Sequence, residues 1–174
     1  LRWEQERQGE IQKTHTEIAA GWEIGEIGIR LTGVADRIDI TGPQSADIID
    51  YKTGYNPSPS QARALLDPQL ALEAAALRAG AFREVGAIEP EKLIYVRLRP
   101  GDRFKSETVN NELSGRGDRS KTKSAIDLAE DSMDQFIKFV QLLQSGEKGF
   151  ASRLIPVSEQ DFGGDYDHLA RVAE

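Results

Sequence analysis

Apolar and polar positions alternate most clearly between Trp22 and Thr53. There "WEIGEIGIRL" and "LTGVADRIDI" carry Ile and Val in short runs broken by glycine, which predicts two strands with turns or bulges at the glycines. "TGPQSAD" is a turn signal, and "DIIDYKT" predicts a third strand. "GYNPSPS" halts regular structure. Asp67 followed by Pro68 has the form of an N-cap and first-turn proline, so "PQLALEAAALRAG" predicts a helix closed by Gly80. Its stripe of Leu70, Ala74 and Leu77 suits a sheet, while Gln69 and Glu73, four residues apart, share another face. "KLIYVRLRP" predicts a fourth strand ended by Pro100, and the polar, glycine-containing stretch 101–121 predicts a loop. "SAIDLAEDSMDQFIKFVQLLQSG" has the spacing of a long amphipathic helix with Ile126, Met133, Ile137, Val140 and Leu143 as its buried stripe. Ahead of the strands, Ile, Ala and Trp scattered among charges from Trp3 to about Ala20 predict a helix that Gly21 ends.

The order is therefore helix, three strands, helix, strand, helix, which predicts an α/β domain with a mixed sheet built from a β-meander and a crossover helix. Residues 1–150 are expected to form this domain, and 151–174 a tail that packs on it or extends it. No internal repeat or low-complexity tract is visible.

Composition narrows the chemistry. At 174 residues, 39% hydrophobic and 29% charged, the chain can bury a real core. No apolar run nears the roughly 18 residues of a membrane span, and the start "LRWEQERQGE" lacks the apolar centre of a signal peptide, so a soluble, cytoplasmic protein is expected. That charged, methionine-free start is also expected of a fragment. Zero cysteines exclude disulfides, thiolate zinc sites and cysteine nucleophiles, and leave oxygen ligands and a hard metal. A formal charge of -7 argues against a protein that coats nucleic acid nonspecifically, though not against a nuclease. The basic groups around Arg97–Lys105 and Arg116–Lys123 suit solvated loops or a phosphate track equally.

The acids of the two central strands give these bounds a focus. Residues two apart on a strand face the same way, so Asp50 and Lys52 project together above Ile48. By the same parity Val34, Asp36, Ile38 and Ile40 share one face, and Ala35, Arg37, Asp39 and Thr41 the other. A carboxylate among Val and Ile is costly unless a cation compensates it, either Lys52 in a structural ion pair or a metal. Asp36, Asp50 and the Tyr51 carbonyl would offer hard oxygens to Mg²⁺, which usually takes one or two carboxylates together with water and phosphate. Such an ion brings the pKa of a water it holds from about 15.7 toward neutrality and shields phosphate charge during in-line attack. Lys52 would orient the water or stabilise the anionic transition state, and Gln69, at the start of the following helix, could hydrogen-bond the lysine, the water or a phosphate oxygen. This is chemistry for phosphodiester hydrolysis.

"GVADRIDI", "IIDYKTG" and "PQLALEAAAL", in that order and spacing, resemble the RecB-type branch of the PD-(D/E)XK nuclease superfamily, and more narrowly the C-terminal nuclease domains of AddB-type subunits of helicase–nucleases. The three segments span about residues 33–80, "LIYVRL" extends the likeness to 98, and the closing "GDYDHLARV" resembles the end of such chains. The resemblance implies a restriction-endonuclease-like αβββαβ core with helices flanking the sheet. It implies Asp36 as the first metal-binding acid, Asp50 as the second, Lys52 as the catalytic lysine and Gln69 as the glutamine of the next motif. A tyrosine often follows that glutamine by four residues; here the position is Glu73. A further acid or histidine usually comes from the first helix or its end, with Glu17 and His15 as the two candidates. Mg²⁺, with Mn²⁺ able to substitute, is the implied cofactor. The iron–sulfur cluster of some relatives cannot form by thiolate ligation without cysteine.

The resemblance also implies single-stranded DNA as substrate, an AddA-type partner subunit and the remaining N-terminal part of a longer chain. The setting would be resection of double-strand breaks. No phosphate-binding loop of the GxxxxGK[ST] type is present, so ATP-driven unwinding is not expected of these residues. The competing reading is a catalytically inactive nuclease-like module that binds DNA or scaffolds the complex. Divalent-metal binding separates the two.

Overall fold

A six-residue helix, α1 (Arg2–Arg7), opens the chain, and the strand β1 (Lys13–Ile24) follows. The computed structural model describes residues 2–54, 57–98, 104–110 and 123–146. The expected helix from Trp3 to Ala20 is thus a short helix and a long strand. Thr14, Thr16 and Ile18 are β-branched at alternate positions, and Gly21 lies within the strand instead of ending a helix.

β1 turns back through Gly25–Gly28 into β2 (Ile29–Gly42), so "WEI" closes one strand and "IRL" opens the next, where a single strand was expected. Gly28 has φ +64, a conformation that glycine adopts without steric cost. β3 (Ser45–Lys52) pairs antiparallel with β2, and a crossover carries the chain to β4 (Glu89–Arg97), which lies parallel to β3. β5 (Lys105–Thr108) adds antiparallel to β4, inside the stretch expected to be a loop. The result is one mixed five-stranded sheet in the order β1-β2-β3-β4-β5.

The crossover holds two helices. α2 (Pro59–Arg63) begins on a capping box in which Ser58 and Gln61 cap each other's backbone amides. α3 (Gln69–Arg78) starts at Gln69, with Pro68 rather than Asp67 in the N-cap position and the Asp67 carboxylate, one residue earlier, accepting from the Gln69 amide at 3.4 Å. Its end is as expected: Gly80, at φ +71, lets the Gly80 and Ala81 amides reach the Leu77 and Ala76 carbonyls at 3.0 and 2.9 Å. Leu70, Ala74 and Leu77 are buried against the sheet. α4 (Ala125–Gln144) is the expected long helix, but it buries Ala125, Leu128, Ala129 and Ser132. Ile126, Met133, Ile137, Val140 and Leu143 are only partly covered. Ala125, Ala129 and Ser132 let the helix approach closely, and Leu128 is the large side chain that it inserts into the core.

The chain divides into two units, Leu1–Ile137 and Lys138–Glu174. The sheet, its core and the residues of interest belong to the first. Of the second, the described residues are 138–146, the last turns of α4 and the turn beyond it. The tail from 151, Pro100 and the basic residues between 111 and 122 lie outside the described residues.

The two sheet faces differ. On the helix side Ile18, Ala35, Ile38, Ile48, Leu93 and Tyr95 join the inner faces of α3 and α4 in one apolar core. On the other side Ile49, Ile94 and Val96 form a smaller cluster with Trp3 and Tyr51. Next to that cluster, α1 covers a charged layer: Arg7 reaches Asp39 at 2.9 Å and Asp47 at 2.8 Å, and Arg37 reaches Asp39 at 2.8 Å and Glu4 at 2.6 Å. The Asp39–Arg37 face, expected to be polar, is therefore buried ion pairing.

Candidate active site

Strand parity puts Ile48, Asp50 and Lys52 on the helix side, as the alternation of "IIDYK" implies. For β2 the alternation holds from Asp36 through Ile38 to Ile40 and then slips. Ala35 is fully buried in the same core as Ile38, whereas Val34, expected beside Asp36, is 57% exposed. Across the ladder His15 pairs with Ile38 and Ile18 with Ala35, and Glu17, between them, has φ +50. Both strands thus shift face at the Glu17 and Asp36 positions. The β2–β3 register of Arg37 with Ile49, extended by one residue, sets Asp36 across from Asp50, and Asp50 in turn pairs with Tyr95 of β4.

At this crossing the side chains close on one another. Lys52 Nζ donates to Asp50 Oδ1 at 3.2 Å and to Gln69 Oε1 at 2.8 Å, and Gln69 Nε2 donates to Asp50 Oδ1 at 2.7 Å. Gln69 Nε2 also reaches Glu73 Oε1 at 3.1 Å. Asp36 is fixed from the same strand, its Oδ2 accepting from the Tyr51 amide at 2.8 Å. Asp36 is thus tied to backbone beside Asp50, and Lys52 pairs with Asp50 and Gln69, not with Asp36. The first turn of α3 delivers Gln69 because Pro68 starts the helix there.

Two further residues, not singled out by the sequence, complete the surroundings. Tyr95 is fully buried in β4; its ring lies 5.6 Å below Lys52 Nζ and its hydroxyl donates to Asp67 Oδ1 at 3.3 Å. Asp67 Oδ1 also accepts from the Gln69 amide at 3.4 Å, so Asp67 caps the start of α3 from the position before the N-cap as well as taking this bond. Tyr95 was visible only as the one polar-tipped side chain of the apolar run "LIYV".

The electrostatics follow from burial. Asp50 is 3% exposed, and burial pushes its carboxyl above the usual carboxylate range; Lys52 opposes the shift, while Asp36 and Asp67 add to it. Burial likewise pushes Glu73 up to about 7, opposed by Gln69 and reinforced by the charges of Asp50 and Asp36. Asp50 Oδ2 lies 3.0 Å from Lys52 Nζ but off the line of a hydrogen bond, and it has no hydrogen-bond partner; Glu73 Oε2 has none either.

The other candidate ligands stand apart from this set. Glu17 is in the row with Asp36 but exposed, and His15 is half-buried beside Ile38; both sit in β1, not at a helix end. Among the described residues no three His, Asp or Glu side chains gather closely enough to hold a metal. The donors that do converge, a buried Asp50 oxygen that accepts no hydrogen bond among the described residues and Asp36 beside it, fit an ion that takes one or two carboxylates and completes its shell with water and phosphate.

Comparison with known proteins agrees with this arrangement. Residues 1–157 match the family model of the PD-(D/E)XK nuclease superfamily. The chain belongs to that superfamily. Its mixed five-stranded sheet with flanking helices is the restriction-endonuclease-like fold of these proteins. The chain is 36% identical over 73 residues to an uncharacterised protein of Rickettsia bellii, covering 41% of this chain and 9% of that protein. With an uncharacterised protein of Rickettsia conorii it shares 35% over 60 residues, 34% of this chain and 7% of the other. It thus spans less than a tenth of these curated relatives. The crystal structure of SSO0001 aligns with a TM-score of 0.39 and 23% identity, over 77% of this chain and 56% of that one. Among the described residues no helix is long and apolar enough to cross a membrane.

Proposed function

We propose that this domain is a Mg²⁺-dependent deoxyribonuclease, with Mn²⁺ able to substitute, that hydrolyses phosphodiester bonds of single-stranded DNA. One observation carries the reading: Asp50, Lys52 and Gln69 contact one another while Asp36 is held against the next backbone amide, in a chain of a nuclease superfamily. Asp36 and Asp50 would hold the ion, with the Tyr51 carbonyl as a further oxygen and Glu17 or His15 as the outlying ligand. When bound, the ion supplies Lewis-acid charge that activates water and offsets charge growing on the phosphate.

The remaining work falls to the chain. Lys52 keeps an ammonium in a recess lined by the Tyr95 ring, where a fixed charge acts on a developing phosphorane oxygen more strongly than in water. Gln69 spans Lys52 and Asp50, so neither can rotate away without losing a hydrogen bond, which holds the reacting geometry before substrate arrives.

The finer assignment is to the nuclease end of an AddB-type subunit. In it the domain acts beside an AddA-type helicase–nuclease partner and the rest of its own polypeptide, during recombinational repair of double-strand breaks. The three motif segments support this, as does the small share of much longer relatives that the chain occupies. The charge of -7 suits a module whose DNA is delivered by other parts of a complex.

The test is cleavage of an end-labelled single strand with Mg²⁺, with EDTA as control. Asp50→Asn and Lys52→Ala should each lower the rate by roughly 100-fold or more while retaining a cooperative melt. Undiminished cleavage by both variants overturns the assignment.

A further inference from the structure

Beside the Asp50–Lys52–Gln69 set, the β1–β2 hairpin and α3 enclose a cleft of about 160 Å³, walled by Trp22, Leu31 and Leu72 and bordered by Gln69 and Glu73. The ladder makes this wall: Trp22 pairs with Leu31 and Ala20 with Gly33, so these positions share one face, and no atom lies within 4 Å of where a Cβ on Gly33 would stand. Val34, 57% exposed, leaves apolar surface open to solvent at this edge.

Chemistry selects the occupant. Among the described residues no lysine, arginine or histidine lines the cleft, and Glu73 adds a carboxyl, so a phosphate is repelled. A flat, largely apolar ring is not; a dry cavity of about 150 Å³ accommodates benzene. Glu73 borders the cleft with a carboxyl, an acceptor for an N–H that a base edge carries. Gln69 belongs both to the cleft and to the Asp50–Lys52 set, so a strand with its phosphate at that set has an adjoining base beside the opening.

We propose that this cleft is a base-binding subsite that receives one unpaired nucleobase of the substrate strand next to the phosphate being cut, held by the Trp22, Leu31 and Leu72 surfaces with its N–H edge toward Glu73. The inference rests on the nuclease reading and deepens it: a base must leave its stack to enter, which favours single strands over duplex.

The experiment uses the whole chain and a set of single-stranded oligonucleotides in which one abasic residue is walked along the sequence, with a matched set carrying 2-aminopurine. Binding is measured with Ca²⁺ and cleavage with Mg²⁺. An abasic residue at one fixed distance from the cut should weaken binding and cleavage on the order of tenfold, the size of one lost base–aromatic stack, and 2-aminopurine there should be quenched. Trp22→Ala should erase the difference between intact and abasic strands. Leu72→Ser, at a half-buried position of the same wall, should reduce it, with a cooperative melt as the check on folding. The salt dependence of binding should stay as it was, because phosphate contacts are intact. Wild-type protein indifferent to every abasic position, or a Trp22→Ala and Leu72→Ser pair that keeps full discrimination, overturns the subsite. Base-dependent binding without any cleavage would leave the subsite standing and remove the nuclease; cleavage without base dependence does the reverse.

Discussion

Glu73 occupies a position where related nucleases often carry tyrosine, and its surroundings give it a measurable signature. Burial raises its carboxyl from 4.5 to about 7. Between those values the folded chain binds more protons than the unfolded one, so stability falls as pH rises through the window and the loss is complete above pH 7. Glu73→Gln cannot titrate and keeps an amide able to accept from Gln69. The variant should match wild type near pH 4 and exceed it by on the order of 3 kcal/mol at pH 8, read from urea midpoints in EDTA. Equal slopes against pH for the two proteins would show that Glu73 is not held this way. Glu73 was legible from the four-residue spacing to Gln69, just as Asp50 and Lys52 were legible from strand parity, because both are local relations. Tyr95 and Asp67 were not. The parallel pairing of β4 with β3 brings Tyr95 beneath Lys52, with its hydroxyl on Asp67, and that register depends on a crossover helix rather than on neighbouring sequence.

The short first helix shows what pattern reading of elements misses. Six residues cannot sustain a helix alone, and α1 is held by what it covers: Arg7 bridges Asp39 and Asp47, both fully buried, and stacks 4.6 Å over Trp3. Of the charges in "RWEQER", two enter the molecule: Arg7 and Glu4, which meets Arg37. β1 was misread because Glu17, Ala19 and Ala20 are good helix formers and the positive φ at Glu17 breaks the strand's alternation. α3, with its proline start and glycine stop, and β3, with its clean alternation, were read correctly apart from the exact cap. Arg7→Ala should cost about 3–5 kcal/mol in urea denaturation, the usual result of stripping a buried ion pair of one partner. Asp39 keeps Arg37 and Thr14, so most of the loss falls on Asp47. Adding Asp47→Asn to Arg7→Ala should therefore recover a large part of it, whereas Asp39→Asn should not. The layer also touches the site, since Arg37 donates to the Tyr51 hydroxyl at 3.1 Å and the Tyr51 amide holds Asp36.

Taken as a whole, the domain is a sheet whose two sides treat acids oppositely. Beneath α1 every buried carboxylate meets an arginine, while on the side of α3 the strands bring Asp36 and Asp50 together with a single lysine between Asp50 and Gln69. That side carries an excess of negative charge in a low-dielectric setting, within a chain whose net charge is already -7. A divalent ion relieves this only in the folded state, so it must stabilise the fold by linkage, about 2.7 kcal/mol at a hundredfold excess over its Kd. For a chain of 174 residues this corresponds to a rise in melting temperature of roughly 5–10 °C with Mn²⁺. The rise should shrink as pH falls, because the up-shifted Asp50 carboxyl must be ionised to take part. Asp36→Ala should abolish it. Glu17→Ala and His15→Ala, compared at the same metal concentration, assign the outlying ligand: the one that takes part loses a share of the rise, and the other keeps it. An undiminished rise in Asp36→Ala would place the ion elsewhere, and the paired acids would then be explained by Lys52 and the Tyr51 amide alone.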